Sequence, residues 1–119
     1  MSEAWFRFRP TDTFDDPLVD AGRLVVLLDT MGWPAAVEAH AWQWGDGRAP
    51  WVAPSLDLFV RFHRFAPHEP ILFNRVESPL AADGLITAEG RVWTPDGLLL
   101  ASSSAQLLST PVPPELLQS

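Results

Sequence analysis

The feature that most constrains this chain is the stretch from Asp15 to Gly32, Asp-Asp-Pro-Leu-Val-Asp-Ala-Gly-Arg-Leu-Val-Val-Leu-Leu-Asp-Thr-Met-Gly. It reads as one helix. Asp15 or Asp16 caps it, and Pro17 takes the first helical position, where a missing N–H costs nothing. Gly32 and Pro34 close it. Leu24 to Leu28 is apolar without a break, which predicts a helix enclosed by protein rather than laid on a surface. Asp29 ends the run. A carboxylate in such a place is costly unless something pairs with it or uses it, so Asp29 is the first candidate site residue.

The remaining elements follow in order. Trp5-Phe6-Arg7-Phe8-Arg9 alternates aromatic and charged residues and predicts a first strand, ended by Pro10. Ala35 to Ala41 predicts a second, short helix. Trp42 to Ala53 reads as a loop, with Gly45, Asp46 and Gly47 as breakers and Trp42, Trp44 and Trp51 within it. Ser55 to Phe65 is the clearest strand: Leu56, Leu58, Val60 and Phe62 face one way, and Ser55, Asp57, Phe59, Arg61 and His63 the other. Ile71 to Glu77, Leu85 to Trp93 and Leu98 to Thr110 read as further strands. Turns are expected at Ala82-Asp83-Gly84 and Thr94-Pro95-Asp96-Gly97. Residues 1–110 then make one domain, and 111–119, opened by Pro111, Pro113 and Pro114, a flexible tail.

A strand, an apolar helix and four antiparallel strands in meander spacing imply an α+β chain. A five-stranded antiparallel sheet curled around the helix satisfies that order, because a helix apolar all round needs a sheet that wraps it. That is a single hotdog domain.

Composition removes several function classes. The net charge is −7, and all eight basic residues are Arg, which disfavours nucleic-acid binding. The chain has no Cys, hence no disulfide and no thiolate chemistry, and its three His residues lack metal-ligand spacing. No apolar run approaches the roughly 20 residues of a membrane span. Glu3, Arg7 and Arg9 break any signal-peptide pattern, so a cytoplasmic protein is expected. Six Trp and seven Phe are more than so short a chain buries alone, which points to a subunit or domain interface.

Two blocks, Ser-Leu-Asp-Leu-Phe-Val-Arg-Phe-His-Arg (55–64) with Pro67, and Gly-Arg-Val-Trp-Thr-Pro-Asp-Gly-Leu-Leu-Leu-Ala-Ser (90–102), resemble the C-terminal hotdog domain of the acyl-CoA thioesterase II family. The resemblance runs from Trp5 to about Leu108. It implies hydrolysis of acyl-CoA, part of lipid metabolism, with no cofactor and no metal, the CoA thioester being substrate. It also implies three catalytic residues. Asp29 matches the family's helix Asp, and Ser55 its Ser/Thr two residues before the Asp of the signature strand. The family's Gln position falls on Ala105, and Gln106 comes one residue late. A one-residue slip turns a side chain to the opposite face of a strand, unless a bulge within Ser102-Ser103-Ser104 restores it. The family's N-terminal hotdog is missing, so a homodimer, or a heterodimer with another hotdog chain, is expected.

In that chemistry Asp29 is the general base for a water, Ser55 orients it, and Gln106 holds the water or the thioester carbonyl. The bland alternatives are an Asp29 facing solvent or paired with an Arg, a Ser55 that is a turn hydroxyl, and a Gln106 on an exposed strand face. His63 reads as structural. Arg61, Arg64, Arg75 and Arg91 either pair with Asp57, Glu77 and Glu89 across strands or meet CoA phosphates. The functional alternatives are a non-catalytic acyl-binding or structural hotdog, or another hotdog reaction (dehydration or cyclisation) on a thioester or polyketide. Delivery of the acyl group by a carrier protein stays open.

Overall fold

A computed structural model of the chain describes residues 2–40, 51–52, 55–108 and 110–111. The elements are β1 (Ser2–Phe6), α1 (Pro17–Thr30), α2 (Gly32–His40), β2 (Trp51–Val52), β3 (Ser55–Phe62), β4 (Leu72–Ala82), β5 (Leu85–Trp93), β6 (Leu99–Leu108) and β7 (Thr110–Pro111).

Helix α1 starts as its sequence dictates. Asp16 is the cap, its carboxylate accepting the Leu18 N–H at 2.9 Å, and Pro17 is the first helical residue. The end differs from expectation. Met31, still in right-handed backbone, caps the helix with its N–H on the Leu27 carbonyl, and Gly32 opens α2 instead of closing α1. No left-handed residue is needed there because the chain keeps turning.

The helix is not enclosed on every side. Ala21, Leu24, Leu27 and Leu28 are buried against the sheet, while Leu18, Val19 and Val26 are 77%, 54% and 48% exposed. The carboxylate that α1 buries is Asp20, not Asp29: Asp20 is 3% exposed, and Asp29 is exposed. Asp20 pairs with Arg23 one turn on, Oδ2 to Nη2 at 2.9 Å, and its other oxygen accepts the Phe14 N–H at 2.8 Å. Arg23, itself 4% exposed, also donates to the carbonyls of Asp12 and Glu69, at 2.9 and 2.8 Å. Further bonds reach the carbonyls of Ala66 and Asp20, both at 3.3 Å. The pair therefore ties three pieces of chain together: the approach to α1, the helix, and the β3–β4 connection.

The main sheet is antiparallel, in the order β1-β4-β5-β6-β3, and curls around α1 as a hotdog. Strands β4, β5 and β6 form the expected meander. Strand β3 does not join it next to β4. It pairs with β6, so the 63–71 connection crosses the domain and β3 becomes an edge. The first strand covers Ser2–Phe6 rather than Trp5–Arg9. Arg7 instead turns to Asp12, at 2.8 Å. Strand β4 runs through the expected connection at 78–82 by absorbing an irregularity between Glu77 and Leu80. There Ser78 donates to the Thr87 carbonyl at 2.8 Å, and its oxygen lies 3.0 Å from Nε2 of buried His40. With the hydroxyl proton committed to Thr87, the imidazole nitrogen is the donor of that bond. The β4–β5 turn has both Asp83 and Gly84 at positive φ, 56° and 79°, the backbone that matches a hairpin's twist.

Two expectations meet the second, small sheet. Trp51–Val52, read as loop, pairs with Thr110–Pro111, so Pro111, read as the start of the tail, lies in a strand. Trp42, Trp44 and the tail from 112 on lie outside the described residues.

Leu24, Leu27 and Leu28 meet Leu72, Val92, Leu100 and Ala101. Ala35 and Ala36 of α2 meet Val76, Ile86, Ala88 and Leu107. Helix and sheet approach closely at Gly90, where a Cβ would lie 2.7 Å from Leu28 Cδ2, 2.9 Å from Ser103 Oγ and 3.3 Å from Val76 Cγ2. Gly90→Val should therefore push α1 off the sheet and cost about 1–3 kcal/mol. A lower urea midpoint is the expected reading.

Candidate active site

Asp29 lies in the last turn of α1, and Ser55 is the first residue of β3. The two meet: Ser55 Oγ donates to Asp29 Oδ1 at 3.1 Å, on an exposed surface. The hydroxyl of neighbouring Thr30 is turned back to the Val26 carbonyl at 2.7 Å, so it does not compete for Asp29.

Simple alternation places Ser55 on the same face as Asp57, away from the helix, and this is overturned. Asp57 pairs with Gln106, but Ser55 pairs with Leu107, so β3 carries one extra residue, Leu56. This is a β-bulge. It turns Ser55 to the helix side, opposite buried Leu107, and leaves Leu56 55% exposed. A bulge also breaks the ladder. Asp57 repairs it, its Oδ1 accepting the Gln106 backbone N–H at 2.8 Å. Asp57 thus holds in place the kink that aims Ser55 at Asp29, a role for which the sequence offers no signal. Asn keeps the accepting oxygen and Ala does not. Asp57→Ala should speed hydrogen exchange of the Gln106 amide about tenfold, as for loss of one hydrogen bond near 1.4 kcal/mol, while Asp57→Asn stays near the wild-type rate.

Gln106 does not reach this point. Its strand pairs with β5 without interruption from Leu108 to Ala101, so Ser102-Ser103-Ser104 holds no bulge. Ala105, 7% exposed, faces the helices, and Gln106 is exposed on the outer face of the sheet. The one-residue delay therefore has its full geometric effect. The bulge is present on the facing strand, where it re-aims Ser55 and not the amide. His63 is also on the outer face, its Nε2 2.9 Å from Ser102 Oγ. Among the described residues no three His, Asp or Glu side chains converge as metal ligands. No helix of the structure is long and apolar enough to cross a membrane.

The arrangement sets a hydroxyl and a carboxylate side by side. Ser55 donates its proton to one oxygen of Asp29, which leaves the serine lone pairs and the second carboxylate oxygen free for a third group. Val26, one helical turn before Asp29, and Leu56, next to Ser55 in the chain, are both exposed.

A family model described as the acyl-CoA thioesterase C-terminal domain matches residues 1–109. The chain belongs to this family. Among solved structures, the acyl-CoA thioesterase II TesB2 of Mycobacterium marinum is 26% identical with a TM-score of 0.77, over 95% of this chain and 42% of that one. A tesB protein of Mycobacterium avium subspecies paratuberculosis, at 23% identity and TM-score 0.77 over 92% and 41%, shares the fold. So does a hypothetical thioesterase from Streptococcus pneumoniae solved with coenzyme A, at 8% identity and TM-score 0.72 over 92% and 78%. This member of the family thus spans about two-fifths of the two mycobacterial proteins, at 42% and 41%. No curated protein sequence matches it as a relative.

Proposed function

We propose that this chain is the site-bearing half of a thioester hydrolase acting on acyl-CoA. The observation that carries the reading is the Ser55–Asp29 contact at 3.1 Å, made across 26 residues of sequence between a helix end and a bulged strand start. Water held by the Ser55 oxygen gives a proton to Asp29 as its own oxygen attacks the thioester carbonyl carbon. The tetrahedral intermediate collapses by breaking the C–S bond, and Asp29 returns the proton to the departing thiolate. The products are the carboxylic acid and the free thiol, CoA in this case.

This chemistry works poorly in open solvent, because donors to the oxyanion are worth far more in a water-excluded site. The exposed Asp29 therefore belongs under a partner. The free edge of β3 with Leu56, and the outer stripe of α1 with Leu18, Val19 and Val26, suit a second hotdog domain, as another copy or a separate chain. That partner supplies the donor that Gln106, on the wrong face, does not. The coenzyme A in the Streptococcus structure supports CoA as the carrier, and the cytoplasm, with its lipid metabolism, as the setting.

The second reading is a non-catalytic acyl-binding or structural half, and the outward Gln106 favours it. The test is thiol release from a panel of acyl-CoAs of increasing chain length. Release at any length supports hydrolysis. Bound acyl-CoA with no release at every length supports the second reading.

A further inference from the structure

The outer face of the sheet is banded by charge, and we infer that it is a contact surface for a second copy of this chain, packed sheet to sheet. One row across the strands reads Glu3, Arg75, Arg91, Ser102, Arg61, each residue the direct partner of the next. The adjacent row, two residues along each strand, reads Glu77, Glu89, Ser104, Phe59. Three of the eight arginines of an acidic chain thus share one row. Arg75 stands directly opposite Arg91, and Glu77 directly opposite Glu89. Like charges so placed are destabilising. Of the two roles the sequence left open for these arginines, cross-strand pairing with Asp57, Glu77 and Glu89 is not made: among the described residues Arg61, Arg91, Glu77 and Glu89 enter no salt bridge. Arg61 lies over the Phe59 ring at 5.0 Å, and Arg75 reaches Glu3 at 3.4 Å. Between the bands is a shallow depression of about 230 Å³, lined among others by Arg61, Glu89, Arg91 and Ser104.

Such a surface complements its own copy. A two-fold axis running along the bands, midway between them, lays each strand on its counterpart in reverse. Arg91 then meets the copy's Glu89, Arg75 meets its Glu77, and Arg61 meets its Phe59 ring. The unpaired charges of Arg91, Glu89 and Glu77 each face an opposite charge, Arg61 faces an aromatic ring, and each contact occurs twice, as in an isologous interface. Aligned face-to-face packing of two sheets is an established geometry. This face is separate from the β3 edge and from Asp29, and the inference does not rest on the thioesterase reading.

Charge reversal tests it by sedimentation velocity at low salt, with the β3 edge unaltered throughout. Wild type is expected to form particles with twice as many copies as Arg91→Glu or Glu89→Arg. An equimolar mixture of the two single variants should regain the wild-type size, because the acidic 89/91 pair of one variant then meets the basic 89/91 pair of the other. The double variant Arg91→Glu/Glu89→Arg should regain it as well. High salt should reduce wild type to the size of the single variants, as screening at ~1 M falls to about 3 Å. Equal sizes for wild type and both single variants would overturn the inference, as would a mixture that stays small.

Discussion

Arg23→Ala is expected to remove about 3–5 kcal/mol of folding stability, the usual cost of stranding one partner of a buried ion pair. Against a total of about 5–15 kcal/mol for a domain, that is between about a fifth and all of the stability. The reason lies in what Arg23 holds. The residue is 4% exposed, and its guanidinium donates to the Asp20 carboxylate and to the carbonyls of Asp12, Asp20, Ala66 and Glu69. Removing it leaves a buried carboxylate, itself 3% exposed, with only the Phe14 N–H, and unties the 63–71 crossing from α1. Arg23→Lys should recover only part of the loss, because one ammonium cannot span so many acceptors in a fixed fork. Urea denaturation of the three proteins measures this. A loss for Arg23→Ala under 1 kcal/mol would contradict the account.

The same pair shows what the sequence does and does not disclose. The helix, its Asp16 cap and Pro17 start, the Leu85–Trp93 strand and the Thr94–Gly97 turn are legible, because local propensity and turn chemistry set them. Which carboxylate α1 buries is not, since an unbroken apolar run hides the buried face. The i,i+3 spacing of Asp20 and Arg23, a pair on one helix face, is the signal the sequence carries for it. The site has the same limit. Residue types and resemblance point to Asp29 and Ser55, but alternation puts Ser55 on the wrong face, because a period-two rule has no place for the extra residue at Leu56. For Gln106 the counting rule holds: the ladder is continuous, so the slip is expressed. The edge position of β3 is set by a crossing that no local pattern encodes.

The second large effect concerns Asp29. On the proposed reading, Asp29→Asn should lower kcat for acyl-CoA hydrolysis by about 10²–10⁴, the contribution of a positioned general base. It should leave KM and stability nearly unchanged. Asn matches Asp in size and retains an oxygen that accepts the Ser55 hydroxyl, so neither packing nor the contact is lost. Ser55→Ala removes an orienting hydrogen bond and not the base. Its loss should be smaller, about tenfold for roughly 1.4 kcal/mol. A Ser55→Ala defect equal to that of Asp29→Asn would mean that the hydroxyl, not the carboxylate, carries the reaction.

The most direct measurement is the initial rate of thiol release from acyl-CoA by wild type and Asp29→Asn, at equal concentrations of folded, assembled protein, with acyl-CoA binding followed in parallel. The account predicts release by wild type, binding by both, and a fall of at least about a hundredfold in the variant. Equal rates in the two proteins, or binding by wild type without any release, would contradict it.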